Sequence, residues 1–382
     1  VGHARQLTVG AALSLSGPFS PQGWQAYRGL ALWTEDVNRA GGLLAPRLGA
    51  RLPLALRVED DQGRAERVAA LTERLILANQ VDLLIGPYSS ALVLAAAAVA
   101  ERHRRVLWNH GGSSDAISQR GFRWVVPLAT PASRYFHGLL DLVERLVPAP
   151  RRVALVHGAR GTFPRAAIDG AEAHARQRRF TVVARLEYPA AEADLPALID
   201  RLAAAQPDIV LAAGRTEVDL AFARRLRAAG NVAPVVGLVA AALPLFGQTL
   251  GRDAHGYFGP SQWEPGLGIQ PDVGPTAAEF ARRFEARFQT GPDYVAAQAY
   301  AAGLVAQRCV QLAGTTQDEA LRDAARALTL TTLYGDFRLD PATGEQIGHR
   351  LLTIQWQGDS RVIVWPPEHA QAQPVLGRPA PG

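Results

Sequence analysis

Lysine and methionine do not occur in these 382 residues, and cysteine occurs once. Without lysine there is no Schiff-base partner for pyridoxal phosphate, no Walker A loop and no kinase-type strand lysine. The 40 basic residues are therefore all arginine. The lack of methionine, even at the first position, leads us to expect a processed chain whose signal peptide has been removed. Cys309 has no partner for an intramolecular disulfide and lies in a helical pattern, so it neither supports nor denies an oxidising compartment. A lipid anchor would belong to a longer precursor. Long apolar runs are also missing: the stretch Ala91–Ala100 is too short and too alanine-rich to span a bilayer. There is no G-x-S-x-G elbow, no H-E-x-x-H and no G-x-G-x-x-G. The nine histidines are scattered without metal-ligand spacing. We expect no catalytic residue, no metal and no cofactor.

What is present is an ordinary globular composition, 48% hydrophobic and 20% charged. The length favours two domains over one core. The net charge of +5 raises the question of nucleic acid. The arginines, however, alternate with Ala, Leu and Glu along helical faces, as in Arg64–Arg74 and Arg224–Arg227. That is a solvated surface rather than a basic patch with interleaved aromatics, and no nucleic-acid partner is expected.

Strands and helices alternate along the first part. Leu7–Ser14 reads as a strand, broken by Ser16-Gly17-Pro18. Tyr27, Leu30, Ala31, Thr34 and Val37 recur at helical spacing up to Gly41-Gly42. Leu52–Val58, Val81–Ile85 and Val106–Trp108 read as further strands. Between them lie a helix carrying Val68, Leu71 and Leu75, and another over Ala91–His103 capped by Ser89-Ser90. The acidic pair Asp60-Asp61 reads as a solvated turn capping the helix from Gly63. The pattern restarts near Pro131, with a helix stopped by Pro148-Ala149-Pro150. Strands at Arg152–His157, Phe180–Leu186, Asp208–Ala212 and Val232–Leu238 alternate with helices. Tyr334–Leu339 and Leu351–Gln357 read as strands joined through Asp340–Gly344. The order implies an α/β fold with parallel sheets covered by helices on both faces.

Open sheets of this kind bind ligands at the carboxyl ends of their strands. Four polar, glycine-containing turns occupy such positions: Ser14–Gln22, Tyr88-Ser89-Ser90, Asn109–Ser114 and Gly214–Glu217. Hydroxyls and helix-start amides suit a carboxylate or another oxygen-rich group. Each turn alone reads more readily as a capped helix than as a binding turn.

The segments Ala12–Pro18, Asp36–Leu43, Asp60-Asp61, Ile85–Ser90, Arg225–Gly230 and Tyr294–Leu304, in this order and spacing, resemble the leucine/isoleucine/valine-type periplasmic solute-binding family. The resemblance runs from about Leu7 to Pro366. It implies two Rossmann-like lobes joined by three crossing segments, near Leu128, Phe258 and Leu333. One lobe would comprise 1–128 and 258–333 and the other 129–257 and 334–366, with 367–382 a Pro-rich tail, poorly ordered or wrapped on the surface. The lobes would close on a ligand by hinge motion, and the protein would feed the membrane permease of an ABC importer as an extracytoplasmic monomer.

The resemblance also implies site residues. Tyr88, Ser89 and Ser90 open the third helix, where the family holds a carboxylate. His110, Gly111, Gly112 and Ser113 match the turn that adds backbone groups and a hydroxyl. Gln22 stands where the family often has an aromatic lid residue, and Arg215 where it often has a tyrosine. Phe163 lies in Thr162-Phe163-Pro164, which replaces a tyrosine-glycine pair. The segment that normally brings an acid to the ligand's ammonium reads Gly237–Ala241 around Val239, with no acid. A buried ammonium would then lack its partner. The expected ligand is a carboxylate or polar amide with an apolar or aromatic body, with Arg215 facing an anion and Phe163 and Trp263 offering apolar faces. Glu217 or Glu264 in the acid's place would restore an amino acid. A ligand-sensing regulatory protein of the same fold stays open. A two-lobed sugar-transferring enzyme lacks its nucleotide site and its base.

Overall fold

The computed structural model describes residues 6–147, 151–230 and 232–377. The chain forms two compact units, residues 1–130 with 265–350 and residues 131–264 with 351–382. The first stretch of unit 1 contains β1 (Leu7–Leu13), α1 (Ser20–Arg39), β2 (Leu43–Ala45), β3 (Ala50–Leu52), β4 (Leu54–Asp60) and α2 (Ala65–Leu77). It continues with β5 (Leu83–Ile85), α3 (Ser90–His103), β6 (Leu107–Asn109), α4 (Ala116–Gln119) and β7 (Val125–Pro127). Unit 2 follows with α5 (His137–Leu146), β8 (Arg152–His157), α6 (Thr162–Gln177), β9 (Thr181–Glu187) and α7 (Leu195–Ala205). Then come β10 (Ile209–Ala213), α8 (Thr216–Ala228), β11 (Val235–Leu238), α9 (Pro244–Leu250) and β12 (Phe258–Ser261). The chain returns to unit 1 as α10 (Ala277–Phe288), α11 (Tyr294–Ala313), α12 (Asp318–Ala327), β13 (Thr329–Thr332) and β14 (Gly335–Arg338), and ends in unit 2 with β15 (Leu352–Gln357) and β16 (Ser360–Trp365).

Unit 1 carries a parallel sheet in the order β4-β1-β5-β6-β7. In unit 2 the order is β16-β15-β12-β11-β10-β8-β9, parallel from β12 to β9 and closed by antiparallel β15 and β16. The apolar runs of β1, β5, β8 and β10 are buried on both faces, as strands covered by helices on both sides must be. α1 lays Gly23, Ala26, Leu30, Trp33 and Val37 inward at three- and four-residue spacing. It packs on α11 through Gly29, where a methyl would sit 2.3 Å from the Ala296 carbonyl oxygen. Beyond Ala40, Gly41 and Gly42 stand at φ 87° and 97° and return their amides to the carbonyls of Asn38 and Val37. Among the described residues no helix is long and apolar enough to cross a membrane.

Three expectations need correction. Asp60-Asp61 is not a solvated turn: Asp61 is fully buried and organises the end of β1. The strands around 334–357 are not one hairpin. β14 pairs with β13 in a two-stranded sheet, whereas β15 joins β12 and β16. For the same reason the last crossing falls at 350/351 rather than near Leu333, since the β13–β14 pair stays with unit 1; the other two fall at 130/131 and 264/265. Up to Gly377 the tail is a surface wrap. Val375 donates its amide to Gln355 Oε1 at 2.8 Å and accepts from Gln355 Nε2 at 2.7 Å, and Gln371 donates its amide to the Ile363 carbonyl at 2.7 Å. The stop at Pro148-Ala149-Pro150 and the last five residues lie outside the described ones.

Candidate functional site

In unit 1 the carboxyl ends of β4, β1, β5 and β6 stand side by side and continue into the expected polar turns. The turn after β1 is satisfied by the acidic pair. Ser14 Oγ donates to Asp61 Oδ1 at 2.6 Å and the Gly63 amide to the same oxygen at 2.7 Å. Asp60 accepts from the amides of Leu15 and Ser16 and from the Ser16 hydroxyl. Burial raises the Asp61 carboxyl against the pull of Ser14. For Asp60 the slight burial is outweighed by the Ser16 hydroxyl and the neighbouring amides, which hold it low. Ser14 and Ser16 are thus committed within the protein.

The next two turns interlock. Ser89, at φ 79°, caps α3: its hydroxyl accepts from the Leu92 amide at 3.4 Å and its own amide reaches the Gly111 carbonyl at 3.1 Å. A methyl on Gly111 would meet the Pro87 carbonyl oxygen at 2.5 Å, so only glycine lets the two turns approach this closely. Buried Asn109 clamps its own turn, accepting from the amides of Gly112 at 2.8 Å and Gly111 at 3.2 Å and donating to the Gly112 carbonyl at 2.8 Å. Ser90 Oγ accepts from the amides of Ser113 at 3.3 Å and Ser114 at 3.0 Å. The amides of Gly111, Gly112 and Ser113 are therefore taken by the side chains of Asn109 and Ser90. The amides of Ser90 and Ala91 at the head of α3 have no acceptor among the described residues.

Three more of the expected residues belong to unit 1. Tyr88 shares a hydroxyl hydrogen bond with Tyr294 at 2.8 Å, and its ring meets Phe19 edge-on at 5.9 Å. His110 is fully buried, and burial pushes its imidazole down to about 4. The Gly86 backbone is its polar neighbour, but neither ring nitrogen reaches hydrogen-bond geometry. Gln22 stands in the first turn of α1 with Oε1 buried and unpaired.

Unit 2 repeats the plan with other groups. Phe163 opens α6, half-buried and edge-on to Tyr135 at 5.0 Å. Arg215 is exposed at the head of α8 and makes no ion pair or hydrogen bond with another described side chain. Val239 follows β11 directly, half-buried against the core. Trp263 is enclosed, its backbone held by the Ser261 hydroxyl. Glu264 is buried and faces Arg361 at 3.3 Å, and Glu217 is exposed in the first turn of α8.

Sequence reasoning missed Asp219. It lies four residues after Arg215, fully buried, accepting from the Tyr188 hydroxyl at 2.9 Å and the Ala240 amide at 3.2 Å. A carboxyl thus does reach the acid-free segment, but from α8. Burial raises it to about 7, against the pull of Tyr188 and Ala240. The only hint was Asp219 at the start of a helix, where acids are common anyway. Unit 2 also has a cavity of about 420 Å³ between α9 and the β15–β16 hairpin, lined in part by Trp356 and Arg361 and by none of the expected site residues. Among the described residues no three metal-binding side chains gather.

Known proteins share this architecture. The Leu/Ile/Val-binding protein homolog 8 of Brucella abortus is 22% identical over 95% of this chain and 91% of its own. A putative branched-chain amino acid ABC transporter structure from Silicibacter pomeroyi superposes with a TM-score of 0.84 at 17% identity, covering 98% of this chain and 99% of that one. A solute-binding protein of an ABC transporter from R. palustris, in complex with benzoate, reaches 0.76 at 19% identity over 98% and 97%. The family model for periplasmic binding proteins matches residues 6–361, both units and every crossing included, and the chain accordingly belongs to the periplasmic binding protein family.

Proposed function

We propose that this chain is the solute-binding component of an ABC importer, a binding protein rather than an enzyme, acting outside the cytoplasm as a monomer and delivering its ligand to a membrane permease. Its ligand is a small carboxylate with an apolar or aromatic body. The observation that carries the ligand class is the head of α3. Two unspent amides, at the positive end of a 14-residue helix, sit at the carboxyl edge of a parallel sheet beside the Ser89 and Ser90 turn. An ordinary α-amino acid fits less well. Gly237–Ala241 supplies no acid, Asp219 is spent on Tyr188 and Ala240, and Glu264 on Arg361. A buried ammonium left without a carboxylate is strongly disfavoured. The benzoate complex of the R. palustris protein supports the same direction.

The test is a thermal-shift screen of protein freed of ligand by unfolding and refolding, against amino acids, amides, aliphatic acids and aromatic acids. A ligand that binds only the folded state adds about 2.7 kcal/mol at a hundredfold excess over Kd. A clear upward shift with a carboxylate lacking an amino group is the expected outcome. A shift with leucine or valine alone would leave the transport role standing and remove this ligand class.

A further inference from the structure

We propose that unit 2 carries a second ligand site, lined by none of the polar turns at the sheet edges, which takes a small organic cation with an apolar or aromatic body. The site is the cavity of about 420 Å³ between α9 and the β15–β16 hairpin. Small-ligand sites typically enclose about 300–1,000 Å³, with mostly apolar walls and a few polar groups.

The apolar wall follows from local choices of residue. Trp356 of β15 is buried, and its indole N–H donates to the Ala241 carbonyl at 2.8 Å. With that donor spent, the indole offers the cavity hydrocarbon only. Glycine at position 247 lets α9 lie against the ring, because a methyl there would stand 2.1 Å from the six-membered half of the indole. Gly251 follows α9 at φ 57° and ψ −131°, a backbone suited to glycine, and a methyl built there would meet nothing within 4 Å. The Pro244 ring completes this side.

Two charged residues also line the cavity, Asp359 at the tip of the hairpin and Arg361 in β16. They are not equally engaged. Arg361 donates to the Ala242 carbonyl and faces buried Glu264 at 3.3 Å, so its charge is answered inside the protein. Asp359 is exposed, and its carboxylate pairs with no described residue, although Arg361 stands only two positions away. Asp359, Arg361 and Glu264 together carry one net negative charge, and Asp359 holds it where the cavity meets solvent. An anion entering there is repelled by Asp359 and finds Arg361 taken. A cation gains the carboxylate, and its apolar body is removed from water against Trp356 and Pro244.

The experiment is a titration of the full chain with benzylammonium, its neutral isostere benzyl alcohol and benzoate, followed by NMR at the backbone amides of Gly247 and Gly251. These amides report the cavity and not the turns at the sheet edges. Benzylammonium is expected to shift both, binding about three- to tenfold more tightly than benzyl alcohol, the effect of one partly exposed ion pair. Benzoate is expected to leave both in place. In Asp359→Asn the preference for the cation is expected to shrink to within about twofold, with the apolar contribution retained. High salt is expected to erode the same preference in the wild type, which checks the charge without a substitution. Failure of benzylammonium to shift the two amides overturns the inference. So does equal or tighter binding of benzyl alcohol or benzoate at these amides, or a cation preference that survives Asp359→Asn or high salt. Each of these outcomes leaves the solute-binding reading and its carboxylate ligand standing, since those rest on other residues.

Discussion

The two units hold their polar turns with different chemistry. In unit 1 the clamp is a neutral carboxamide, Asn109, which takes two amides and one carbonyl of its own turn. In unit 2 it is a carboxyl, Asp219, which joins α8 to Tyr188 and to the Ala240 amide beyond β11. A carboxamide matches donors and acceptors at once and does not titrate. A buried carboxyl only accepts while ionised, and low dielectric favours its protonated form. The same task, fixing a turn at the end of a parallel strand, is thus independent of pH in one unit and dependent on it in the other.

Removing the neutral clamp should have the largest effect. Asn109→Ala leaves two amides and a carbonyl of a tight, buried turn unpaired. We expect a loss of about 3–4 kcal/mol in urea unfolding, together with the loss of ligand binding. A loss below about 1 kcal/mol would mean that water replaces the clamp and that the contrast between the units is shallow.

The carboxyl clamp makes a prediction in pH. Folded Asp219 holds its proton up to about 7, while the unfolded chain releases it near 3.8. Between those values the folded state binds more protons, so this group's contribution to stability falls as pH rises through the window. His110 and His137, both lowered to about 4 by burial, act oppositely and favour the folded state less as pH falls below 6.5. The difference between Asp219→Asn and wild type isolates the carboxyl. Relative to wild type the variant should gain on the order of a few kcal/mol from pH 4 to pH 8. A difference that is flat with pH would show that Asp219 stays ionised throughout.

How much of this was legible in the sequence follows from the range of the interactions. Strand runs such as Arg152–His157 and helix starts such as Ser89-Ser90 are local patterns, and each stands where its residues suggest. The segments 334–357 misled because strand propensity does not name a partner: β14 folds back on β13 just before it, whereas β15 pairs with β12, more than 90 residues upstream. The site divides the same way. Its turns were visible as glycine and hydroxyl clusters. Which amides in them are already taken was not, because that depends on Asn109 folding back on its own turn and on Ser90 reaching residues 113 and 114. Asp219 was hidden for the same reason, its partners lying 31 residues upstream and 21 downstream.

Arg215 gives the smallest effect on stability and the sharpest test of what unit 2 contributes to binding. Its side chain is exposed, caps nothing and pairs with no described carboxylate. Arg215→Ala should therefore leave unfolding within about 0.5 kcal/mol of wild type. Ser90→Ala in unit 1, by contrast, strips two amides of their acceptor and should cost about 1–3 kcal/mol. In binding the order changes. If the guanidinium faces an anion, Arg215→Ala should weaken a carboxylate ligand about tenfold and flatten the dependence of its affinity on salt, because a long-range attraction that salt screens has been removed. An unchanged affinity and salt profile would place recognition of the carboxylate at the head of α3 in unit 1.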